Sequence, residues 1–250
     1  MSFKVSQTVI LAAGNGSRLV NGHGVPKPLM TIGGTPLVAH ALEHARESGC
    51  SEAILVIGHE GERVKAAVEA LDAGLKLRFV ESPDPTAPNG VSLLAAEPVA
   101  ASQFFLQMVD HFFDDVTLPK LVATPLAPDE IGRVLVDRAP RDIDLQDATK
   151  VRLAGNRVLA IGKGLEPWDA IDAGCFVLTR GVFEALRRAP AAEPRTVSSG
   201  MRQLASRGSL GAVHVGSTGW VDVDTPADRE SAETLLQQRL LRAESASARL

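Results

Sequence analysis

The stretch that decides the fold is Thr8-Val9-Ile10-Leu11-Ala12-Ala13-Gly14-Asn15-Gly16-Ser17-Arg18-Leu19, followed by Pro26-Lys27-Pro28-Leu29. Its first half is apolar without polar alternation, which predicts a strand over residues 8–13 buried on both faces, as parallel strands inside an α/β sheet are. The turn that ends the strand is glycine-rich. Glycine lets backbone N–H groups approach phosphate oxygens with no Cβ in the way, and Arg18 and Lys27 add the charge that a triphosphate needs. The spacing is not the dinucleotide fingerprint, because Leu19 stands where a third glycine is required. Nor is it a Walker A loop, because no Gly-Lys-Ser/Thr follows. An ordinary strand-to-loop turn is the plain alternative, and the Pro-Lys-Pro that follows weighs against it.

Working outward, Gly33-Gly34 precedes Thr35-Pro36, which reads as a cap and first-turn pair opening a helix to about residue 48. Strands are predicted over 53–57, 77–80 and 104–109, with helices over 62–71 and from Asn89, read as a cap, to about 97. This alternation implies a doubly wound, mixed but mainly parallel sheet of Rossmann-like type, with ligands at the carboxyl ends of its strands, where Gly14, Glu81 and Asp110 fall. The second half is richer in strands: 133–137, 150–153, a hairpin turn at Gly155-Asn156, then 158–161 and 172–178. It predicts a β-rich lobe over the substrate, with helices near 182–188 and 198–207 and a further strand at 212–215. The last helix starts after Thr225-Pro226. A single domain is expected over 1–242, with 243–250 a mobile polar tail.

A chain of 250 residues buries a good core as one α/β domain, and its net charge of −4 gives no general attraction to nucleic acid or anionic lipid. Binding to nucleic acid is not expected. The apolar run near the N-terminus is too short for a signal peptide or a membrane span, so neither membrane insertion nor export is expected and a cytoplasmic protein is. Cys50 and Cys175 stand far apart with no Cys-x-x-Cys pattern, and read as two reduced, partly buried thiols.

The opening motif resembles the signature of the sugar-phosphate nucleotidyltransferases, Leu-Ala-Ala-Gly-x-Gly-x-Arg with a downstream Lys-Pro. The likeness continues in family order through Asn89-Gly90-x-Ser92, Val109-Asp110-His111, Ile161-Gly162-Lys163-Gly164-Leu165, Ala170-Ile171-Asp172-Ala173-Gly174 and Trp220-Val221-Asp222-Val223-Asp224-Thr225-Pro226. The segment from Ala148-Thr149-Lys150-Val151 to Asp172 is most similar to the CTP:inositol-1-phosphate cytidylyltransferases. The resemblance implies a GT-A-like nucleotidyltransferase fold. It also implies a cytidylyltransferase that converts CTP and inositol 1-phosphate to CDP-inositol and pyrophosphate. Another phosphate ester as acceptor (phosphocholine, another cyclitol phosphate or a sugar 1-phosphate) is the nearest alternative. A nucleotide-binding regulator without turnover is a second one. Family relatives often carry a fused membrane phosphotransferase that uses the product in phospholipid biosynthesis. A separate partner of that kind is therefore expected here, and assembly into a homo-oligomer is left open.

Such a transfer needs no enzymic nucleophile, since the acceptor's phosphate oxygen is already ionised near neutral pH and attacks the α-phosphorus directly. The protein must hold two polyanions together and neutralise them, a task that suits Mg2+ held by one or two carboxylates. Asp110, at the end of an apolar strand, and Asp224, just before a proline-started helix, are the expected ligands, with Asp222 an alternative on the same strand face. By resemblance Leu11, Ala12, Ala13, Gly14, Asn15, Gly16, Ser17, Arg18 and Lys27 meet the nucleotide. Glu81, Asn89, Gly90 and Ser92 lie where the family reads the base, while Lys163, Asp172 and Gly174 meet the acceptor's phosphate and hydroxyls. Val109 departs from the family's Gly-Asp-His and is expected to crowd the metal or substrate. His40 and His44, four residues apart, read as an exposed helical pair rather than a zinc site, and Asp142, Asp144 and Asp147 as a solvated loop. Trp168 and Trp220 read equally as pocket wall or core. His111 is given no general-base duty.

Overall fold

A computed structural model describes residues 5–14, 24–113, 117–140, 143–216 and 219–247. Of the predicted site, Asn15, Gly16, Ser17 and Arg18 lie outside the described residues, as does Asp142. In chain order the elements are β1 (Gln7–Ala12), β2 (Thr31–Ile32), β3 (Thr35–Pro36), α1 (Leu37–Glu47), β4 (Glu52–Ile57), α2 (Gly61–Glu69), β5 (Lys76–Glu81), α3 (Asn89–Ala95), β6 (Gln103–Met108) and β7 (His111–Phe113). There follow α4 (Thr117–Ala123), β8 (Gly132–Asp137), β9 (Lys150–Ala154), β10 (Arg157–Gly162), β11 (Ala170–Thr179), α5 (Gly181–Arg187), α6 (Val197–Ser206), β12 (Leu210–His214), β13 (Trp220–Asp222) and α7 (Pro226–Ser247).

The main sheet has the order β5-β4-β1-β6-β11-β8-β12-β10-β9. Its first four strands are parallel, with β1 between β4 and β6 and all six of its residues buried, as the unbroken apolar run requires. β11 enters antiparallel to both β6 and β8. At the far end the β9–β10 hairpin curls back so that β9 pairs with β11 as well as with β10. The strands β11-β8-β12-β10-β9 therefore close on themselves, and the β-rich half is continuous with the sheet.

Helices cover both faces. Val38, Ala41 and Leu42 of α1 and Val64 and Val68 of α2 pack on Ile10, Ala12 and Leu55. Leu93 of α3, Phe183 and Leu186 of α5 and Met201 and Leu204 of α6 pack on Val9, Leu11, Phe104 and Leu106 of the other face. The single residue step between Leu11 and Ala12 sends them to opposite layers, the period-two rule of strands. α7 lies apart, its Ala232 joining a small cluster with Ile32, Leu37, Phe112 and Val223.

Three local expectations are corrected. Thr35 and Pro36 do not start α1 but form β3, paired with β2 across Gly33 and Gly34, whose φ values of +58° and +81° suit a tight hairpin. Asn89 does not cap its own helix: its side-chain oxygen accepts from the backbone N–H of Val197 at 2.8 Å, tying α3 to the start of α6. The final helix continues through Ser247, so the first half of the expected tail is helical. The strands β7 and β13 were not anticipated, because three residues each are too few to show a period.

Candidate active site

The carboxyl ends of β1 and β6 and the amino end of the antiparallel β11 open on a cleft of about 670 Å³ whose lining includes Gly14, Lys27, Asp110, Lys163, Asp172 and Asp224. Lys27 sits on a single 3₁₀ turn between Pro26 and Pro28, prolines that fix its backbone. Asp110 follows β6, where the N–H of Val109 still bonds the carbonyl of Leu11 and so holds the turn beside β1. The N–H of Val223 donates to the carbonyl of Asp110 at 3.0 Å, which brings Asp224 to the same place. The Lys27 ammonium is 2.5 Å from Oδ2 of Asp110 and 2.6 Å from Oδ1 of Asp224. Burial works against its charge, but the two carboxylates outweigh burial and hold its pKa above the ordinary lysine value. Burial also opposes ionisation of Asp110, yet Lys27 and His111 hold it well below the usual carboxylate range.

A second layer surrounds this triad. His111 opens β7 and stands directly across from Asp222 on β13. Its Nδ1 is 3.0 Å from Oδ1 of Asp110 and 3.7 Å from Oδ1 of Asp222, and its ring stacks on Trp220 at 5.6 Å between centroids. Burial would lower its pKa, but Asp222 and Asp110 raise it to about 9, so His111 is a cation at neutral pH. Burial pushes Asp222 up to about 6, helped by the like charges of Asp110 and Asp224 against the pull of His111. Burial likewise pushes Asp172 up to about 6, although its Oδ1 accepts from the N–H of Gly174 at 2.8 Å. Gly174 has φ +72°, and a Cβ there would lie 2.4 Å from the His111 ring, so glycine is what admits the imidazole. Trp220 is both pocket wall and core, its indole N–H donating to Asp137 at 3.0 Å.

The structure brings most of the predicted residues together but not all. Leu11, Ala13, Gly14, Asn89 and Ser92 line the cleft. Ala12 does not, because its side chain is buried in the layer beneath α1. Gly90 lies under the chain of α6's approach, where a Cβ would meet the carbonyl oxygen of Arg195 at 2.4 Å. Glu81 ends β5, the edge strand, is exposed and is not among the residues that line the cleft. Asp222 and Asp224 diverge: the first faces His111 and the second Lys27. Val109 is buried with Ile10 and Val38, so its side chain serves the core and does not crowd the carboxylates. The acidic loop is no bystander, since Asp144 and Asp147 line the mouth and Asp147 forms an ion pair with Lys163. Trp168 is half-buried against the cluster beneath α4.

The histidine pair is also corrected. His40 and His44 are buried on the inner face of α1, with His40 5.0 Å from the Phe112 ring and its Nε2 3.1 Å from the carbonyl of Ile32. Both lie against β7, the strand that sequence periodicity does not reveal. Cys50 and Cys175 are both buried, and neither is in a disulfide. Among the described residues, no helix is long and apolar enough to cross a membrane.

A mainly parallel sheet with a buried lysine held by two aspartates beside its strand ends is an α/β frame suited to holding a polyanion. The chain belongs to the family of the MobA-like NTP transferase domain, whose pattern matches residues 8–209. It is 37% identical over 91% of its length to the "Bifunctional IPC transferase and DIPP synthase" of Rubrobacter xylanophilus, covering 51% of that protein. It is 33% identical to its counterpart in Archaeoglobus fulgidus, over 93% of this chain and 44% of the other. It is also 30% identical to the "CMP-5'-(3-aminopropyl)phosphonate synthase" of Streptomyces rubellomurinus, over 94% of this chain and 40% of that one. The chain thus spans about half the length of the curated relatives it matches. Among solved structures, the inositol-1-phosphate CTP transferase from T. maritima superposes with a TM-score of 0.84 at 25% identity, over 96% of this chain and 98% of the other. A UDP-glucose pyrophosphorylase at 16% identity shares the fold, with a TM-score of 0.76.

Proposed function

We propose that this chain is a magnesium-dependent cytidylyltransferase that forms CDP-inositol and pyrophosphate from CTP and inositol 1-phosphate. The observation that carries this reading is the two-sided cleft, in which Lys27, Asp110 and Asp224 stand on the β1–β6 side and Lys163 and Asp172 on the β10–β11 side. A phosphate oxygen of the acceptor attacks the α-phosphorus of CTP, the bond from that phosphorus to the bridging oxygen breaks, and pyrophosphate leaves with the electron pair. Lys27 and the glycine turn neutralise the triphosphate, while Lys163, released from Asp147, meets the acceptor's phosphate. Asp172 accepts from ring hydroxyls. Asp110 and Asp224 suit a divalent cation, because their oxygens already converge on one cationic atom. When bound, Mg2+ would supply charge for the leaving pyrophosphate.

The choice of CTP and inositol phosphate rests on the likeness to the T. maritima transferase and to the bifunctional relatives. A second reading keeps CTP but takes a phosphonate or another phosphate ester, and the Streptomyces relative favours it. We place the reaction in the cytoplasm and assign its product to a membrane phosphotransferase. Pyrophosphate release, measured as kcat/KM over a panel of nucleoside triphosphates and acceptors with Mg2+ present, separates these readings. CTP with inositol 1-phosphate should lead, because a pocket built to accept from the cytosine amine leaves its acceptor unpaired with UTP. Equal use of UTP, or faster use of phosphocholine or (3-aminopropyl)phosphonate, would overturn the assigned substrates.

A further inference from the structure

The buried ammonium of Lys27 fills the place where the reading above expects a cation. Its Nζ takes one oxygen from each of Asp110 and Asp224, at 2.5 and 2.6 Å, and the residue is only 7% exposed. Both aspartates are also held by other means. The second oxygen of Asp110 pairs with Nδ1 of His111 at 3.0 Å. The backbone N–H of Asp224 donates to Asp228 at 3.1 Å, and Asp228 also accepts from Thr225 at the start of α7. The Asp110 carboxylate and the backbone that carries Asp224 therefore keep their positions when the lysine leaves. Lys27 in turn has its backbone pinned between two prolines, so only its four-carbon stem need swing.

We propose that Lys27 is an internal competitor for the cation site. The ammonium and a divalent cation hold Asp110 and Asp224 in alternation, so the nucleotide-free protein takes up the cation weakly and the cation enters together with the triphosphate. This rests on the nucleotidyltransferase reading above and goes beyond it, because it fixes the order of loading. Two cations cannot share the same pair of carboxylate oxygens without strong repulsion at contact distance. An ammonium displaced without a nucleotide present would be a buried charge with no partner, which is costly. With a triphosphate in the cleft the displaced ammonium meets a new polyanion, and the exchange becomes favourable. If Lys27 occupies the site in nine molecules of ten, the apparent affinity for the cation falls about tenfold below its intrinsic value.

The test uses Mn2+ as a paramagnetic probe of the nucleotide-free protein, with free Mn2+ read by electron paramagnetic resonance. Lys27→Met, which keeps the bulk and removes the charge, should bind Mn2+ about tenfold or more tightly than wild type. The double variant Lys27→Met/Asp224→Asn should lose that gain, which locates the site. Should Lys27→Met not fold, wild type alone still decides. Its thermal midpoint should be unmoved by Mn2+ alone and rise with Mn2+ and α,β-methylene-CTP together. A rise with Mn2+ alone, or equal Mn2+ affinity in wild type and Lys27→Met, overturns the proposal while pyrophosphate release by wild type remains intact. If Mn2+ and the analogue together leave the midpoint unmoved and no pyrophosphate is released, the nucleotidyltransferase reading itself fails and the proposal falls with it.

Discussion

Lys27 and Lys163 are chemically the same side chain in opposite environments. Lys27 is buried between two carboxylates, whereas Lys163 is exposed and forms an ion pair with Asp147. Removing each should act on a different substrate. Lys27→Ala should raise the KM for CTP and lower kcat, and Lys163→Ala should raise the KM for the phosphate ester by about tenfold with a smaller effect on CTP. Initial rates over both concentrations check this, and equal effects on both substrates would refute the division. Gly174 carries a second prediction. Gly174→Ala places a Cβ against a ring held between Asp110 and Asp222, at a φ that L-residues resist. It should lower stability by about 1–3 kcal/mol in urea unfolding. A change below a few tenths would show that His111 moves freely.

Lys27, Asp110 and Asp224, which the structure gathers together, stood out because each lies beside an apolar strand or a proline-marked step, and Asp172 because it falls in the family order. Asn15, Gly16, Ser17 and Arg18 belong to the same motif but lie outside the described residues. Glu81 also ends a strand, yet β5 is the sheet edge, and strand order is a property that one-dimensional periodicity does not contain. The setting of His111 was not legible for a related reason: its partner Asp222 is supplied by a strand 111 residues away in sequence.

Among the elements, long strands and helices followed the sequence pattern closely, since a buried run such as β1 or β4 has too many apolar residues for any other use. The short β7–β13 ladder escaped notice, and with it the packing of α1. Phe112 of β7 is buried against His40 and His44, which turns an apparently exposed pair into part of the core. Burial lowers the His44 pKa from 6.5 to about 3, with Arg239 and His40 adding in the same direction. Between those values the unfolded chain binds a proton that the folded chain refuses, so acidification favours unfolding. Wild type should therefore lose stability relative to His44→Leu as the pH falls from 6.5 towards 3, at up to about 1.4 kcal/mol per pH unit. Urea unfolding of both proteins between pH 7 and 4.5 checks it. Parallel pH profiles would show that His44 is protonated in the folded state. At the other end of the site, Thr225 and Asp228 form a reciprocal cap in which each side chain accepts from the other's backbone N–H. The Thr-Pro step therefore does more than begin α7, because the same cap accepts from the N–H of Asp224.

At the scale of the molecule, the two halves of the sheet perform different tasks. The parallel half brings Gly14, Lys27 and Asp110 to one rim, and the closed half, joined through β11, brings Lys163 and Asp172 to face them. The sequence implied both halves, the second as a β-rich lobe over the substrate, but not its closure, which depends on β9 pairing with β11 and which no local pattern announces. The proposed direct transfer, with the acceptor's own phosphate as nucleophile, requires two polyanions held face to face, and these two rims suit that arrangement. Phosphorus-31 NMR of a single reaction with CTP, inositol 1-phosphate and Mg2+ tests this most directly. We predict that the triphosphate signals decay into pyrophosphate and the two coupled resonances of CDP-inositol in equal amounts, as the inositol phosphate signal disappears in step. Release of orthophosphate and CDP with the inositol phosphate signal unchanged, or no decay at all, would contradict the account.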